Sequence, residues 1–293
     1  MGTWFAPAAF VLLWSTGFIV ARAIAGQADA PLFLTARFAV AACLLAVLAG
    51  RARAAWPRGR RLAGHLGAGA LLHGIYLAAS YQAVALGLSP GVMALVASLQ
   101  PPLTAGLAAI CCGRRPGGRL TAGMAAALAG VVLAAWPGRE AVVLAMPLLP
   151  LGLAFCAMVS ITAGTLAQQS ALAAADLRVA GALQHAGAAL VTLVVTAAWG
   201  QWRFVPTVTV LGALGWSVAG LSLGGAGLLV WLVRRGEAAG TAALLFLAPP
   251  LAALQAWLFF GTPLGARQLA GFALTLAGVA LARGERPSRQ GSK

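Results

Sequence analysis

Apolar residues run along this chain in stretches of roughly 20 residues, separated by short segments of Gly, Pro, Arg and Asp. Ten such stretches occur, at roughly 4–22, 31–50, 63–84, 90–112, 120–136, 147–167, 178–198, 209–232, 240–260 and 268–282. A run of this length crosses the hydrocarbon core of a bilayer as an α-helix. The pattern therefore predicts an all-α membrane protein with ten transmembrane helices, numbered here as spans 1 to 10. Span 1 lacks the basic leader and the A-x-A-like site of a signal peptide, which predicts an uncleaved helix.

The pattern is written twice. A shift of 148 residues, without a gap, lays Ala94–Ala134 on Ala242–Ala282 with 19 of 41 positions identical. The matches include residues that punctuate structure: Pro101 and Pro102 on Pro249 and Pro250, Gly113 on Gly261, Arg119 on Arg267, Gly123 on Gly271 and Gly130 on Gly278. Five spans per copy is an odd number, so the second copy enters the membrane from the opposite side. The expectation is two inverted five-helix repeats, residues 1–140 and 141–283, with a tail at 284–293. Inverted repeats are a common plan of alternating-access transporters, whose substrate site lies near the midplane where the repeats meet.

Basic residues set the orientation. With the amino terminus in the cytoplasm, one set of loops and the tail holds Arg51, Arg53, Arg58, Arg60, Arg61, Arg114, Arg115, Arg119, Arg178, Arg234, Arg235, Arg283, Arg286, Arg289 and Lys293. The other side holds Arg22, Arg139, Arg203 and Arg267. This bias of 15 against 4 predicts both termini in the cytoplasm.

Composition narrows the classes further. The chain is 61% hydrophobic and 9% charged, where a soluble domain carries about 25% charged residues. A net charge of +15 would suggest nucleic acid in a soluble protein, but the arginines sit in short runs between apolar segments and form no single water-facing surface. Nucleic acid is not an expected partner. Cys43, Cys111, Cys112 and Cys156 lie in or beside apolar stretches and show neither a disulfide framework nor a zinc spacing. No cofactor or metal is expected.

Few polar residues interrupt the spans, and those are the candidate chemistry. Span 1 carries Trp14, Ser15 and Thr16, and span 3 carries His73, Tyr76 and Ser80 at i, i+3 and i+7, a spacing that places them on one helical face. Pro101 and Pro102 in span 4, and Pro249 and Pro250 in span 9, remove backbone donors near mid-membrane and predict kinks that bare carbonyls. Ser98, Gln100, Ser160, Gln184, Trp216 and Phe246 complete an expected substrate lining of apolar walls with a few polar contacts. The alternative for each is polar glue between helices.

Arg37 is the one charged residue well inside a span, either bound to helix carbonyls or attracting a substrate carboxylate. Asp29, Glu140, Asp176, Glu237 and Glu285 all lie in loops or at span ends. Histidine is then the remaining intramembrane group able to titrate near neutral pH, which makes His73 and His185 candidates for proton coupling and His65, near the cytoplasmic end, a lesser one. Small residues at Gly123, Ala127 and Gly130, matched by Gly271, Thr275 and Gly278, mark spans 5 and 10 as packing struts. Such faces either join two copies into a homodimer or pack within one chain.

LLWSTGF in span 1, Pro31 with Arg37 six residues on, YQAVALG at the end of span 3, and the terminal G-x6-G-V-x-L-A together resemble the drug/metabolite transporter superfamily, EamA type. The resemblance implies a bacterial inner-membrane exporter of metabolites or amino acids with a central cavity between the repeats. The WST of span 1 is similar to the aromatic amino acid exporter branch. One departure stands out: where many members have Gly-Glu at the ends of spans 4 and 9, this chain has Gly113-Arg114 and Gly261-Thr262.

The function expected is therefore secondary transport, export of amino acids with aromatic or other bulky apolar side chains by alternating access. Drug or toxic-compound efflux by proton antiport is one alternative. A membrane-embedded enzyme acting on lipid is an alternative of another class. GLSPG at Gly87–Gly91 and GLSLG at Gly220–Gly224 match the G-x-S-x-G elbow by composition alone, since an elbow needs a strand before the serine and an acid within reach. H-E-x-x-H, P-loop and paired-carboxylate patterns are missing from the sequence.

Overall fold

Backbone polar groups in lipid find no water, so a chain this apolar closes its hydrogen bonds within helices. The computed structural model describes residues 5–86, 88, 93, 96–112, 117–135, 148–169, 175–234, 244–261 and 264–283. Its first half holds α1 (Phe5–Ala23), α2 (Ala30–Arg51), α3 (Arg60–Gly69), a π-helical segment (Ala70–Ile75), α4 (Tyr76–Ala85), α5 (Gln100–Cys112) and α6 (Gly118–Ala135). The second half holds α7 (Leu148–Gln169), α8 (Leu177–Trp199), α9 (Val208–Trp216), a second π segment (Ser217–Gly225), α10 (Ala226–Arg234), a 3-10 turn (Leu245–Leu247), α11 (Ala248–Phe260) and α12 (Ala266–Arg283). Among the described residues no strand forms; the sole β contact is an isolated antiparallel bridge between Ala28 and Phe204.

Six of these helical stretches are long and apolar enough to cross a membrane: Ala6–Ala23, Ala30–Arg51, Arg60–Ala85, Leu148–Gln168, Leu177–Trp199 and Val208–Leu232. Gly118–Ala134, Leu245–Phe259 and Ala266–Ala282 are shorter apolar helices. Predicted spans 4 and 9 begin in stretches that lie largely outside the described residues, as do the expected repeat boundary near 140, Arg114, Thr262 and most of the GLSPG stretch.

The tandem prolines do not kink a continuous helix. They fall in the first turns of α5 and α11: Pro101 and Pro102 come after Gln100, and Pro249 and Pro250 after Ala248. A first-turn proline lacks an N–H that would have no intrahelical partner anyway, and its fixed φ suits a helix start. The chain before α5 is turned at Ser98 and Leu99, and that before α11 is the tighter 3-10 turn. The break precedes the prolines.

A second irregularity repeats as well. The π segment Ala70–Ile75, moved by 148 positions, falls on residues 218–223, inside the second π segment. Wide turns thus interrupt α3–α4 and α9–α10 at the same place.

Two antiparallel pairs hold equivalent helices together. On α6 and α12, a Cβ at Gly123 would strike the backbone of Gly278 and Ala282, and one at Gly130 would strike Gly271 and Thr275. The backbones touch directly, and Thr275 Oγ1 stays satisfied by donating to Gly271 O at 2.8 Å. On α2 and α8, Thr35 Oγ1 donates to Thr192 Oγ1 at 3.0 Å, while Leu45 lies against Gly181. Phe38, Leu34 and Ala188 fill the space between them. The small-residue faces of spans 5 and 10 are therefore occupied within one chain, which leaves them unavailable for joining two copies.

Loop chemistry marks the helix starts. Asp176 caps α8, accepting from Arg178 N at 2.8 Å and from the Arg178 guanidinium, which pulls its carboxyl down to about 2. Thr207 caps α9 and donates to Gln27 Oε1 at 2.6 Å. With Asp29 N donating to Arg203 O at 2.7 Å, this ties the α1–α2 loop to the α8–α9 loop.

Candidate functional site

The breaks before α5 and α11 face one another across a cavity of about 50 Å³. Its wall contains three pairs related by the 148-residue shift: Ala97 with Leu245, Gln100 with Ala248, and Pro101 with Pro249. Trp14 of α1, Tyr76 at the start of α4, Ser98 and Ile161 of α7 close it. The lining is mostly apolar. Gln100 supplies its polar handle: Nε2 donates to Thr104 Oγ1 at 3.1 Å, while the buried Oε1 has no partner.

A second polar cluster lies between α2, α8 and the two π segments. The shift that relates the halves carries Arg37 onto His185. Both are buried, and each faces a π segment. Arg37 Nε donates to Ser222 Oγ at 2.9 Å in the second segment. The His185 ring stacks on His73 of the first, centroids 5.2 Å apart and 23° between planes. Phe38 sits among them, its ring 5.7 Å from His185, 6.1 Å from His73 and 5.1 Å from Arg37 Cζ. His185 Nδ1 pairs with Gly181 O at 2.8 Å, whereas Nε2 of both histidines is buried without a partner. A smaller cavity of about 30 Å³ opens on His185, Gln184 and Ser222.

The eleven residues expected to line the substrate site are distributed over different places. Trp14, Tyr76, Ser98 and Gln100 line the central cavity, and Gln184 lines the smaller one. The other six line neither. Ser15 is fully buried and accepts from Gln255 Nε2 at 2.9 Å, joining α1 to α11. Ser80 donates to Tyr76 O within its own helix, and Ser160 donates to Leu71 O at 2.8 Å, joining α7 to the first π segment. Trp216 is half-exposed and donates to Thr16 Oγ1 at 2.9 Å, and Phe246 is in the core with Phe10 and Val11.

His73, Tyr76 and Ser80 do not share a face, contrary to the helical-spacing expectation. A π turn bonds i to i+5, so it holds an extra residue and rotates the remainder of the helix by about a third of a turn relative to an unbroken α-helix. His73 consequently meets α8 while Tyr76 meets the central cavity. Arg37 binds the Ser222 hydroxyl rather than the helix carbonyls that were one of its two expected partners. Phe38, Gln255 and Ile161 went unrecognised in the sequence because aromatic, amide and aliphatic residues there carry no distinctive spacing. The Arg37–His185 correspondence was legible in the same shift that aligned the prolines.

The GLSLG serine is Ser222, in a π-helical segment with no strand before it. That geometry is not a nucleophile elbow. Among the described residues no group of three or more His, Cys, Asp or Glu is placed to hold a metal.

Residues 148–284, from α7 to the end of α12, match the EamA-like transporter family. A solved crystal structure, titled only as that of a protein, is similar to the chain with a TM-score of 0.75 over 94% of this chain and 95% of its own. At 21% identity that likeness speaks for the fold alone. No curated protein matches the chain by sequence. The apolar helices and the family match indicate a multi-pass integral membrane protein. The match covers the second half of the chain, and members of that family are transporters rather than enzymes.

Proposed function

We propose that this chain is a secondary transporter of two inverted five-helix repeats, residues 1–140 and 141–283, exporting amino acids with aromatic or other bulky apolar side chains by alternating access. The observation that carries this reading is the central cavity, whose wall pairs equivalent residues of the two copies at the helix breaks before α5 and α11. Antiparallel packing of α2 on α8 and of α6 on α12 supports the inversion, because equivalent helices run in opposite directions. The basic-residue bias supports both termini in the cytoplasm, and the resemblance to EamA-type exporters implies a bacterial inner membrane.

A water needs roughly 10–15 Å³ of such space, so about 50 Å³ admits a few waters and no amino acid. Substrate entry therefore requires the broken helices to separate, and the turns before α5 and α11 are where the chain lacks regular helical bonds to resist it. Trp14 and Tyr76 offer ring faces for an apolar side chain, and the free Oε1 of Gln100 accepts from an ammonium group.

The test is counterflow in proteoliposomes preloaded with mixed amino acids. Saturable exchange of tryptophan, phenylalanine or leucine is the expected result. Exchange of no amino acid, with gradient-driven extrusion of an amphipathic dye, would replace amino acid export by drug efflux. Chemical alteration of an added lipid would replace transport by catalysis.

A further inference from the structure

We infer that the His73–His185 pair is the proton-binding site that couples this transporter to a pH gradient, with Nε2 of His185 as the atom that takes the proton. The inference rests on the secondary-transport reading above and adds the coupling ion and its seat.

Hydrogen bonding fixes the tautomer. Gly181 O is a carbonyl and only accepts, so His185 Nδ1 carries the hydrogen of the 2.8 Å contact. In the neutral ring Nε2 then bears a lone pair, and it is buried with no protein partner. Native structures rarely leave such an atom unmatched without a role for it. A proton adding to that lone pair converts imidazole to imidazolium, and no other bond forms or breaks.

A small cavity stands beside His185, and a cation lies near it. The 30 Å³ cavity at His185, Gln184 and Ser222 has room for about two waters at the size a water requires. The packed elements carry Arg37, Cys43 and Arg51 on α2, Arg60, Arg61 and His65 on α3, His73 on the first π segment, and Tyr76 and Tyr81 on α4; of these, His73 stacks on the His185 ring and Arg37 lies beside Phe38. α10 contributes Ala226, Gly227 and Val230 to the cavity, none of which titrates. The spans contain no Asp or Glu, so no internal carboxylate competes for the proton or neutralises it.

An imidazolium here would face the Arg37 guanidinium across Phe38. Like charges repel strongly where water is scarce. The proton therefore works against the Arg37–Ser222 bond, a polar contact that joins α2 to the second π segment beside the packing of Phe33 and Leu221. Release of that bond lets α9–α10 move, which ties proton occupancy to conformation.

Nitrogen-15 NMR of histidine-labelled protein in nanodiscs, assigned with His185→Gln and His73→Gln, tests the site without any transport substrate. The expected spectrum at neutral pH shows His185 in the Nδ1–H form, passing to imidazolium on acidification. An Nε2–H tautomer, or a ring that stays neutral until the protein unfolds, overturns the assignment. Proteoliposomes with tryptophan as probe test the coupling. For one proton per solute, accumulation rises up to about tenfold per imposed pH unit in the wild type and is abolished in His185→Gln. Equal wild-type accumulation with and without the gradient overturns the inference. Failure of wild-type counterflow with every amino acid counts against the amino acid reading instead, and the spectrum still decides the proton site.

Discussion

The α6–α12 pair and the α2–α8 pair join equivalent helices of the duplicated halves in the same antiparallel manner, yet their contents are opposite. Between α6 and α12, Gly123, Gly130, Gly271 and Gly278 bring backbone against backbone, leaving no room for a side chain. Between α2 and α8, side chains up to the size of Phe38 separate the helices, and Arg37 and His185 occupy equivalent buried positions. Contacts without side-chain mass allow one arrangement, which suits a strut. A layer of polar side chains with unmatched nitrogen atoms has alternatives, which suits a moving part.

The comparison breaks first at the glycines. Gly123→Leu or Gly278→Leu must force α6 from α12, an overpacking cost of about 3 kcal/mol that corresponds to roughly 10 °C in melting temperature. Gly17→Ala on α1, where an added Cβ meets nothing within 4 Å, is the control and should melt with the wild type. Equal melting of all three proteins in detergent would mean that α6 and α12 are not a rigid pair.

The polar pair should respond in function rather than in stability. Arg37→Ala removes the donor to Ser222, and we expect counterflow to fall at least about tenfold, equivalent to about 1.4 kcal/mol, with a smaller melting change than Gly123→Leu. A variant that unfolds outright would place α2–α8 among the struts. Loss of the ring faces in Trp14→Ala or Tyr76→Ala should raise the apparent KM for an aromatic amino acid by about tenfold with the fold retained. An unchanged KM in both would remove these rings from the substrate site.

The smallest effect belongs to the exposed cap of α8. With its carboxyl pulled down to about 2 by Arg178, Asp176 stabilises the fold above its ordinary pKa, and this contribution disappears as pH falls through about 2. Melting curves of Asp176→Asn and wild type should therefore differ by a few degrees near pH 7 and converge at low pH. A constant difference would assign the effect to the side chain's shape rather than its charge.

Much of the helical layout was legible before any coordinates, because a bilayer-spanning helix needs only a long apolar run. The strut function of Gly123 and Gly278 was also legible, since close helix packing demands small residues at helical spacing. Cavity placement was less so. Helical spacing grouped His73 with Tyr76, and a single wide turn separated them. Ser15, Ser160 and Trp216 read as lining because their types are polar, but a hydroxyl or indole N–H satisfied by a neighbouring helix looks the same in a sequence.

The sequence alone determined what depends on composition and period: membrane insertion, the repeated halves, the basic bias, and the glycines and prolines that punctuate the helices. Only the tertiary structure decided which polar residues meet. It placed the prolines after the breaks, brought Gln100 and Ala248 into one wall, and set His185 against His73 and Arg37 against Ser222. Those pairings span separations as large as 185 residues and depend on the rotation of each helix about its axis. A local departure such as a π turn resets that rotation, and no pattern of apolar and polar letters records it.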